Sequence, residues 1–238
     1  WQVIPFLKYQ GVDRLEAVFV SHWDEDHVNG LDAVFEWADQ SGIPIGGLVL
    51  PGEGPDGDEP DKLLESARNH GIPVYRMIAG EELSDGKTSF LCLYPQKNGF
   101  YKDRNASSLV LKLRVKGDGE EPAFTALLTG DVEAEGEIRM LEEEEAKYSR
   151  ELLEGCDILK TAHHGSDTST TEEFLDAAAP SLALISCGKN NSYGHPHKET
   201  MNKLNNKHIT VYRTDSDGTI LAETDGNIYS ITTDLKSV

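Results

Sequence analysis

The sequence predicts a layered α/β protein, and two observations carry that prediction. Apolar, strand-like runs alternate with amphipathic, helix-like runs along most of the 238 residues. Four of the apolar runs lead into histidine or aspartate side chains, at residues 22–27, 131, 163–164 and 195. Because strand ends converge in layered α/β folds, we expect these side chains to meet in one site although they are far apart in sequence.

The individual elements follow from periodicity and from Gly and Pro positions. We predict strands at residues 12–20, 45–50, 74–78, 90–94, 108–115, 124–129, 157–162, 182–186, 209–213, 218–223 and 227–232. We predict helices at residues 28–39, 61–70, 171–179 and 198–205. Residues 52–60 hold three glycines and two prolines, which is typical of a surface loop.

Composition limits the class of protein. We predict one domain over residues 1–238, because layered α/β folds of roughly 200–250 residues commonly form a single unit. No apolar run approaches the roughly 20 residues that span a bilayer, so the segment is expected to be soluble. The net charge of −20 argues against binding a polyanion. That objection weakens if the run Glu142, Glu143, Glu144 and Glu145 lies on an outward-facing helix.

The densest chemical signal is the stretch from Ser21 to His27, which contains His22, Asp24, Asp26 and His27. Carboxylates this close repel each other, and a cation between them removes that cost. Each motif also has a plain alternative. The first is a solvated turn with Asp26 as a helix N-cap, Asp131 is a turn residue, His195 is a loop histidine, and His163 and His164 serve core packing. Their joint placement at strand ends favours the metal site.

The spacing of these motifs also carries a family resemblance. In order they are His-x-Asp-x-Asp-His at 22–27, Gly-Asp at 130–131, His-His-Gly-Ser at 163–166 and Tyr-Gly-His-Pro at 193–196. This pattern resembles the metallo-β-lactamase superfamily, in the variant found at the C-terminal end of ComEC-type competence DNA-uptake proteins. Residues 3–15 look like the segment that precedes the first motif in that family, and residues 212–218 look like its closing hairpin.

The resemblance implies an α/β fold in the form of a four-layer αββα sandwich, with the family's N-terminal strands missing from this chain. It also implies a site for two divalent metal ions. Carried over by position, His22 and Asp24 hold one ion, Asp26 and His27 hold the other, Asp131 bridges them and His195 completes the second.

This sequence departs from the family pattern at the first ion. Asp24 stands where the superfamily usually has a histidine, and the segment from Asn105 to Ser108 stands where another histidine is usual. His163 or His164 is available to fill the gap. We favour His164 as the ligand.

The chemistry can be argued from the residues themselves. Two cations about 3.5–4 Å apart share a hydroxide and offset charge on both oxygens of a phosphodiester displacement. We expect Asp26 to orient that hydroxide and His163 to protonate the leaving oxygen. The carboxylate-rich ligand set makes manganese plausible beside zinc. Substrate contacts are assigned to Asn105, Ser108, Ser166 and Tyr193.

Three functions remain open from the sequence. The first is a DNA nuclease linked to competence DNA uptake, acting on DNA, in the expected case single-stranded, and attached to a membrane channel region outside this chain. The second is a stand-alone hydrolase of a small ester, lactam or phosphodiester. The third is a non-catalytic metal-binding module. A basic groove formed by Lys102, Arg104, Lys160, Lys189, Lys198 and Arg213 would favour the first. No dinucleotide cofactor is expected, and the location is either extracytoplasmic, as a domain of a membrane protein, or cytoplasmic.

Overall fold

Two sheets face each other in the centre of the protein. The structure, a computed structural model, describes residues 2–119, 122–142 and 155–235. Within these residues the smaller sheet has three parallel strands: β1 (Val18–Phe19), β2 (Leu48–Pro51) and β3 (Val74–Met77), in spatial order β1-β2-β3. The short length of β1 follows from its pairing, because only Val18 and Phe19 are in ladder register with Leu48 and Val49 of β2.

The larger sheet has seven strands among the described residues. They are β4 (Glu82–Ser84), β5 (Thr88–Tyr94), β6 (Val110–Lys116), β7 (Pro122–Leu128), β8 (Ile158–Lys160), β9 (Leu182–Ile185) and β10 (Thr210–Arg213). Their spatial order is β10-β9-β8-β7-β6-β5-β4. Strands β4 to β7 pair antiparallel, whereas β7 to β10 pair parallel. The strands β11 (Ile220–Thr224) and β12 (Tyr229–Thr233) form a separate antiparallel hairpin.

The described residues form eight helices, several of which cover the outer faces of the two sheets. They are α1 (Val3–Tyr9), α2 (Glu25–Val28), α3 (Leu31–Ser41), α4 (Asp61–Asn69), α5 (Ala134–Glu142), α6 (Glu172–Ala178), α7 (Lys198–Asn206) and α8 (Thr214–Asp217). A short 3₁₀ turn lies at Asn105–Ser107, and a tight turn with left-handed backbone lies at Ala162–Gly165. None of the helices that the structure describes is long and apolar enough to cross a membrane.

Three apolar clusters define the layers. Phe35 of α3 and Leu63 of α4 pack on Leu48 and Leu50 of the small sheet. Val49 and Met77 of the small sheet meet Cys92, Leu109 and Leu111 of the large sheet in the interface between the sheets. Leu127 and Leu159 of the large sheet pack under Met140, Phe174 and Leu204 of the outer helices. The layer order is therefore helix, sheet, sheet, helix, which confirms the predicted αββα sandwich.

Several element boundaries differ from the sequence prediction. The strand expected at 12–20 reduces to β1, preceded by a single bridge between Leu15 and Ile45. The helix expected at 28–39 is two helices, α2 and α3, separated at Asn29 and Gly30. Helix α1 and strand β4 were not predicted. Strand β4 escaped notice because its three residues are all exposed at a sheet edge and lack an alternating apolar pattern.

The expected outward-facing acidic helix is only partly within the described residues. Helix α5 begins at Ala134 and is described to Glu142, and the run 143–145 lies outside the described residues. The orientation of those glutamates therefore stays a prediction.

Candidate metal centre

The first motif emerges from the end of β1 and enters helix α2. His22 lies almost fully buried behind this turn, and α2 begins at Glu25 with Asp24 at its N-cap. The short helix directs His27 back towards His22, and the two ring centroids are 4.0 Å apart. Ser21 Oγ lies 3.2 Å from His22 Nδ1 and 3.1 Å from His27 Nδ1. One hydroxyl therefore orients both imidazoles.

The second motif approaches the first through Gly130. Its φ of +53° lies in the left-handed region that favours glycine. A Cβ built there would lie 2.7 Å from Ser21 Cβ and 3.0 Å from Ser108 Cβ. The backbone N–H of the following Asp131 donates to Ser108 Oγ at 3.1 Å. Glycine at this position lets the buried carboxylate of Asp131 reach the histidines of the first motif.

The double histidine follows strand β8 in an unusual backbone conformation. Both His163 (φ 47°, ψ 47°) and His164 (φ 55°, ψ 22°) are left-handed, which is uncommon for residues other than glycine. His164 Nδ1 is bonded to the carbonyl oxygen of Ser186 at 2.7 Å. A carbonyl oxygen accepts, so Nδ1 carries a proton, and Nε2 can present a lone pair to the centre once it has lost its own proton.

Four side chains converge on one point: Asp26, His27, Asp131 and His164. Each offers one ligand atom, and all four atoms lie within 4.8 Å of one another. His164 Nε2 lies 3.3 Å from Asp131 Oδ2 and 3.4 Å from Asp26 Oδ2, and His27 Nε2 lies 3.4 Å from Asp131 Oδ2. We call this set the four-ligand group.

The four-ligand group fits a divalent cation. His27 Nε2, His164 Nε2 and Asp131 Oδ1 are buried without a hydrogen-bond partner in the structure. Buried polar atoms without partners are costly, and a cation supplies the missing interaction for all three. Two imidazole nitrogens with two carboxylates are a donor set used for zinc and for harder transition metals.

The protonation of the group reflects its internal contacts. Burial opposes ionisation of Asp131, but the imidazoles of His164 and His27 hold its pKa well below the usual range. The Asp131 carboxylate in turn raises the pKa of His164. Burial, aided by His27, lowers the pKa of His22 to about 4, so His22 is neutral and able to act as a ligand at pH 7.

A pair of side chains of metal-binding type, His22 and Asp24, lies beside this group. His22 Nε2 is 3.7 Å from Asp24 Oδ2. The other oxygen of Asp24 faces Arg104, whose Nη1 lies 3.1 Å from Asp24 Oδ1. Sequence reasoning placed Arg104 only in a general basic groove. Its contact with Asp24 joins residues 80 positions apart, which no local pattern reveals.

The remaining predicted ligand, His195, lies next to the group rather than within it. Its ring centroid is 6.1 Å from that of His164 and 5.7 Å from that of His163. The exposed ring of Tyr193 stacks on His195 with centroids 5.7 Å apart. His163 Nδ1 lies 3.7 Å from Glu133 Oε1 and 3.4 Å from Thr168 Oγ1. The two histidines of the pair therefore have different surroundings.

The predicted substrate contacts occupy different depths. Tyr193 is exposed, whereas Ser108 and Ser166 are buried. Ser108 Oγ lies 3.4 Å from His22 Nδ1 and supports the centre from behind. Ser166 Oγ contacts Thr168 Oγ1 at 3.0 Å. Asn105 begins a 3₁₀ turn, and its Oδ1 is buried without a hydrogen-bond partner in the structure.

The six expected groove cations do not form a row of free charges. Lys102 pairs with Glu133 at 2.8 Å, and Arg213 pairs with Asp215 at 2.7 Å. Lys160 Nζ donates to the Thr161 carbonyl oxygen at 2.7 Å. With the Arg104 contacts, four of the six are engaged by the chain itself, and Lys189 and Lys198 are exposed. The condition that would favour a nuclease is therefore not met at four of the six positions, because carboxylates pair with Lys102, Arg104 and Arg213 and a carbonyl oxygen accepts from Lys160.

Two solved structures share this architecture. One is CmlA, a diiron β-hydroxylase from Streptomyces venezuelae, with a TM-score of 0.55 and 15% identity over 84% of this chain and 44% of that chain. The other is YhfI, a metallo-β-lactamase fold protein from Bacillus subtilis, with a TM-score of 0.51 and 12% identity over 87% of this chain and 78% of that chain. The chain is therefore a protein of metallo-β-lactamase fold, with a His/Asp cluster that could hold a metal.

Relatives in sequence specify the class further, although no family model matches the chain. It is 33% identical to ComE operon protein 3 of Bacillus subtilis and 30% identical to competence protein ComA of Neisseria gonorrhoeae, each over 218 residues. It is 28% identical to recombination protein 2 of Haemophilus influenzae over 221 residues. Each match covers 92% of this chain and about a quarter of the relative. The chain is thus homologous to one part of the ComEC-family proteins, which confirms the resemblance seen in its motifs.

Proposed function

We propose that residues 1–238 form one metal-dependent hydrolase domain that cleaves phosphodiester bonds in DNA during competence DNA uptake. The observation that carries this proposal is the four-ligand group, in which two imidazoles and two carboxylates converge with three unpartnered buried atoms. Homology to competence proteins supports DNA as the substrate.

The proposed centre holds two divalent metal ions, manganese or zinc. Asp26, His27, Asp131 and His164 would hold one, and His22 with Asp24 would take part in binding the other, with Asp131 between them and His195 at the rim. Bound divalent ions supply Lewis acidity and offset charge on the phosphodiester oxygens. Because carboxylates supply half of the four-ligand group, we expect higher activity with Mn²⁺ than with Zn²⁺.

The side chains of the chain take separate roles in this proposal. Asp26 has a side chain that is 65% exposed, so its carboxylate reaches both the four-ligand group and solvent, from which it orients the attacking water. His163 stands outside the four-ligand group beside Glu133, where its ring is available to protonate the leaving sugar oxygen. The exposed ring of Tyr193, next to His195, offers a surface on which a nucleobase stacks.

The test is cleavage of labelled single-stranded and double-stranded DNA by the purified chain with Mn²⁺, Zn²⁺ or chelator. We expect single-stranded DNA to be cut with Mn²⁺ and not with chelator. Asp131→Asn should abolish cleavage, whereas Asp39→Asn, an exposed carboxylate beside His70, should leave it unchanged. Equal or faster cleavage with Zn²⁺ would contradict the metal preference, and no cleavage of any DNA would contradict the nuclease.

The engaged cations favour a second candidate, a hydrolase of a small ester, lactam or phosphodiester. Such a substrate needs no extended basic surface, and Lys102, Arg104 and Arg213 are already paired with carboxylates. Turnover of a small chromogenic phosphodiester without cleavage of DNA would select this candidate. Metal binding without turnover of any substrate would select a non-catalytic metal-binding module.

The same proposal places the domain beside a membrane channel region outside residues 1–238, on the extracytoplasmic side, where incoming DNA passes. The chain spans about a quarter of the length of its competence relatives, which leaves room for such a region. Protease protection of the domain in spheroplasts carrying the whole protein would support a cytoplasmic location instead.

A further inference from the structure

The four-ligand group and the pair His22 and Asp24 differ in the charged groups that face their carboxylates. In the four-ligand group, the carboxylates of Asp26 and Asp131 face the imidazoles of His27 and His164, at 3.3–3.7 Å. Asp24, in the pair with His22, faces a guanidinium instead, with Arg104 Nη1 at 3.1 Å from Oδ1. A permanently charged group is therefore already paired with the carboxylate that a second cation would need.

Arg104 is held in this position by several contacts. Its Nε and Nη2 bind both oxygens of Asp58, at 2.6 and 2.8 Å, in a bidentate pair. Its Nη1 also donates to the backbone oxygen of Trp23 at 3.2 Å. The Trp23 indole N–H donates to Asp58 Oδ2 at 3.3 Å. Arg104 thus joins the first motif to the loop 52–60, and its orientation is determined by a planar fork of hydrogen bonds.

The loop that carries Asp58 is fitted to the motif. Trp23 is buried, and a Cβ at Gly54 would lie 3.0 Å from its ring. Arg76 holds the same loop from the other side, through the Glu59 carboxylate and the Pro51 carbonyl oxygen. Arg104 therefore lies within a network of hydrogen bonds between the first motif and the loop 52–60, and its side chain is only about a third exposed.

We propose that Arg104 makes the two metal subsites unequal. The four-ligand group binds the first ion tightly, and the pair His22 and Asp24 binds a second ion weakly, because Arg104, held on Asp24 Oδ1, already offsets the charge of the carboxylate whose Oδ2 faces His22. This inference rests on the proposed function in taking both sets of residues as one metal centre. It assigns to Arg104 a positioning role at the second subsite.

The test is the number and affinity of Mn²⁺ ions bound by the whole chain, measured by isothermal titration calorimetry and by the electron paramagnetic resonance signal of free Mn²⁺. We expect one tight and one weak ion in the unmodified protein. Arg104→Gln should tighten the second ion about 10- to 100-fold, the usual size of an effect from a group that contacts a ligand, and leave the first unchanged.

Arg76→Gln is the matched control, because Arg76 also holds the loop 52–60 through a carboxylate and a carbonyl oxygen. It should leave both affinities unchanged. Asp24→Asn provides a second, independent measurement that does not depend on the folding of the Arg104 variant. It should remove the weak ion and keep the tight one.

Each possible result either supports or contradicts the role of Arg104. Equal affinities in the unmodified protein, or an Arg104→Gln variant whose second ion is unchanged or weaker, would overturn the inference. A loss of both ions in Arg104→Gln, with a cooperative unfolding transition retained, would make the residue a structural support only. Absence of any bound Mn²⁺ in the unmodified protein would instead contradict the metal centre of the proposed function, so the two failures are distinguishable.

Discussion

His164 Nε2 lies 3.3 Å from Asp131 Oδ2, while its Nδ1 is bonded to the Ser186 carbonyl oxygen at 2.7 Å. The polar atoms of His164 Nε2 and the Asp131 carboxylate can be satisfied in two ways. Either a proton on Nε2 faces the carboxylate, or a metal ion lies between nitrogen and oxygen. The raised pKa of His164 reflects the first state, and metal binding must displace that proton.

The pH dependence of stability follows from this pair. A histidine whose pKa is raised on folding contributes stability that is fully present below its unfolded value of about 6.5 and is lost as the pH rises through the folded value. In the metal-free protein, the difference in free energy of unfolding between wild type and His164→Gln should therefore shrink as the pH rises above 6.5. Urea unfolding with chelator across this range measures it, and a difference independent of pH would contradict the pairing.

The two histidines of the pair should respond differently to substitution. His164→Ala should lower metal content and activity together, because its Nε2 is one of the four ligand atoms. His163→Ala should keep the metal and slow cleavage by about 10²- to 10⁴-fold, the usual contribution of general acid catalysis. Measurement of bound metal and of the single-turnover cleavage rate for both variants tests this difference.

A DNA analogue with an activated leaving group is the control for the His163 variant. That leaving group needs little protonation, so the analogue should restore the rate. If both variants keep full metal occupancy and the wild-type rate, the His-His-Gly-Ser segment is structural.

The sequence assigned Ser108 to substrate contact, but its side chain is fully buried, so we propose that it supports metal binding instead. Its Oγ accepts the backbone N–H of Asp131 at 3.1 Å and lies 3.4 Å from His22 Nδ1. Ser108→Ala should lower the Mn²⁺ affinity about 10- to 100-fold, as is usual for groups that orient ligands. Ser107→Ala is the control, since that hydroxyl is equally buried but bonds the Arg104 carbonyl oxygen within its own turn. Equal affinities in the two variants would argue against this role.

Alanine substitutions at Gly130 and Gly155 distinguish the cost of steric overlap from the cost of a left-handed backbone. Both have positive φ, +53° and +71°, so alanine at either position costs about 1 kcal/mol. Among the described residues, a new Cβ at Gly130 would lie 2.7 Å from Ser21 Cβ, whereas one at Gly155 would have no atom within 4 Å. Gly130→Ala should therefore lose a further 1–3 kcal/mol or so of unfolding free energy, as overpacked sites do, together with metal affinity. Similar losses in both variants would mean that the overlap relaxes.

Much of the fold was predictable because its cause is local. The helical spacing along residues 61–70 reflects burial of one face and appears as α4, with Leu63 and Ala67 buried. The apolar alternation along residues 108–115 appears as β6 within a few residues, although both faces of that strand are covered near Leu111. The ends of an element differ from the prediction where pairing with a neighbouring strand determines them, as at β1. Helix α1, which has no buried residue, was missed because periodicity reports burial.

The sequence by itself determined which residue types gather at the candidate site, since His, Asp and Gly-Asp motifs at strand ends must meet once the strands align. Only the tertiary structure decided which histidine of the pair faces Asp131, because left-handed backbone at His163 and His164 turns their rings to different neighbours. It also decided that Arg104 faces Asp24 across 80 positions of sequence. Local periodicity records which face of an element is buried, whereas loop dihedral angles and long-range ion pairs depend on how separate elements pack together.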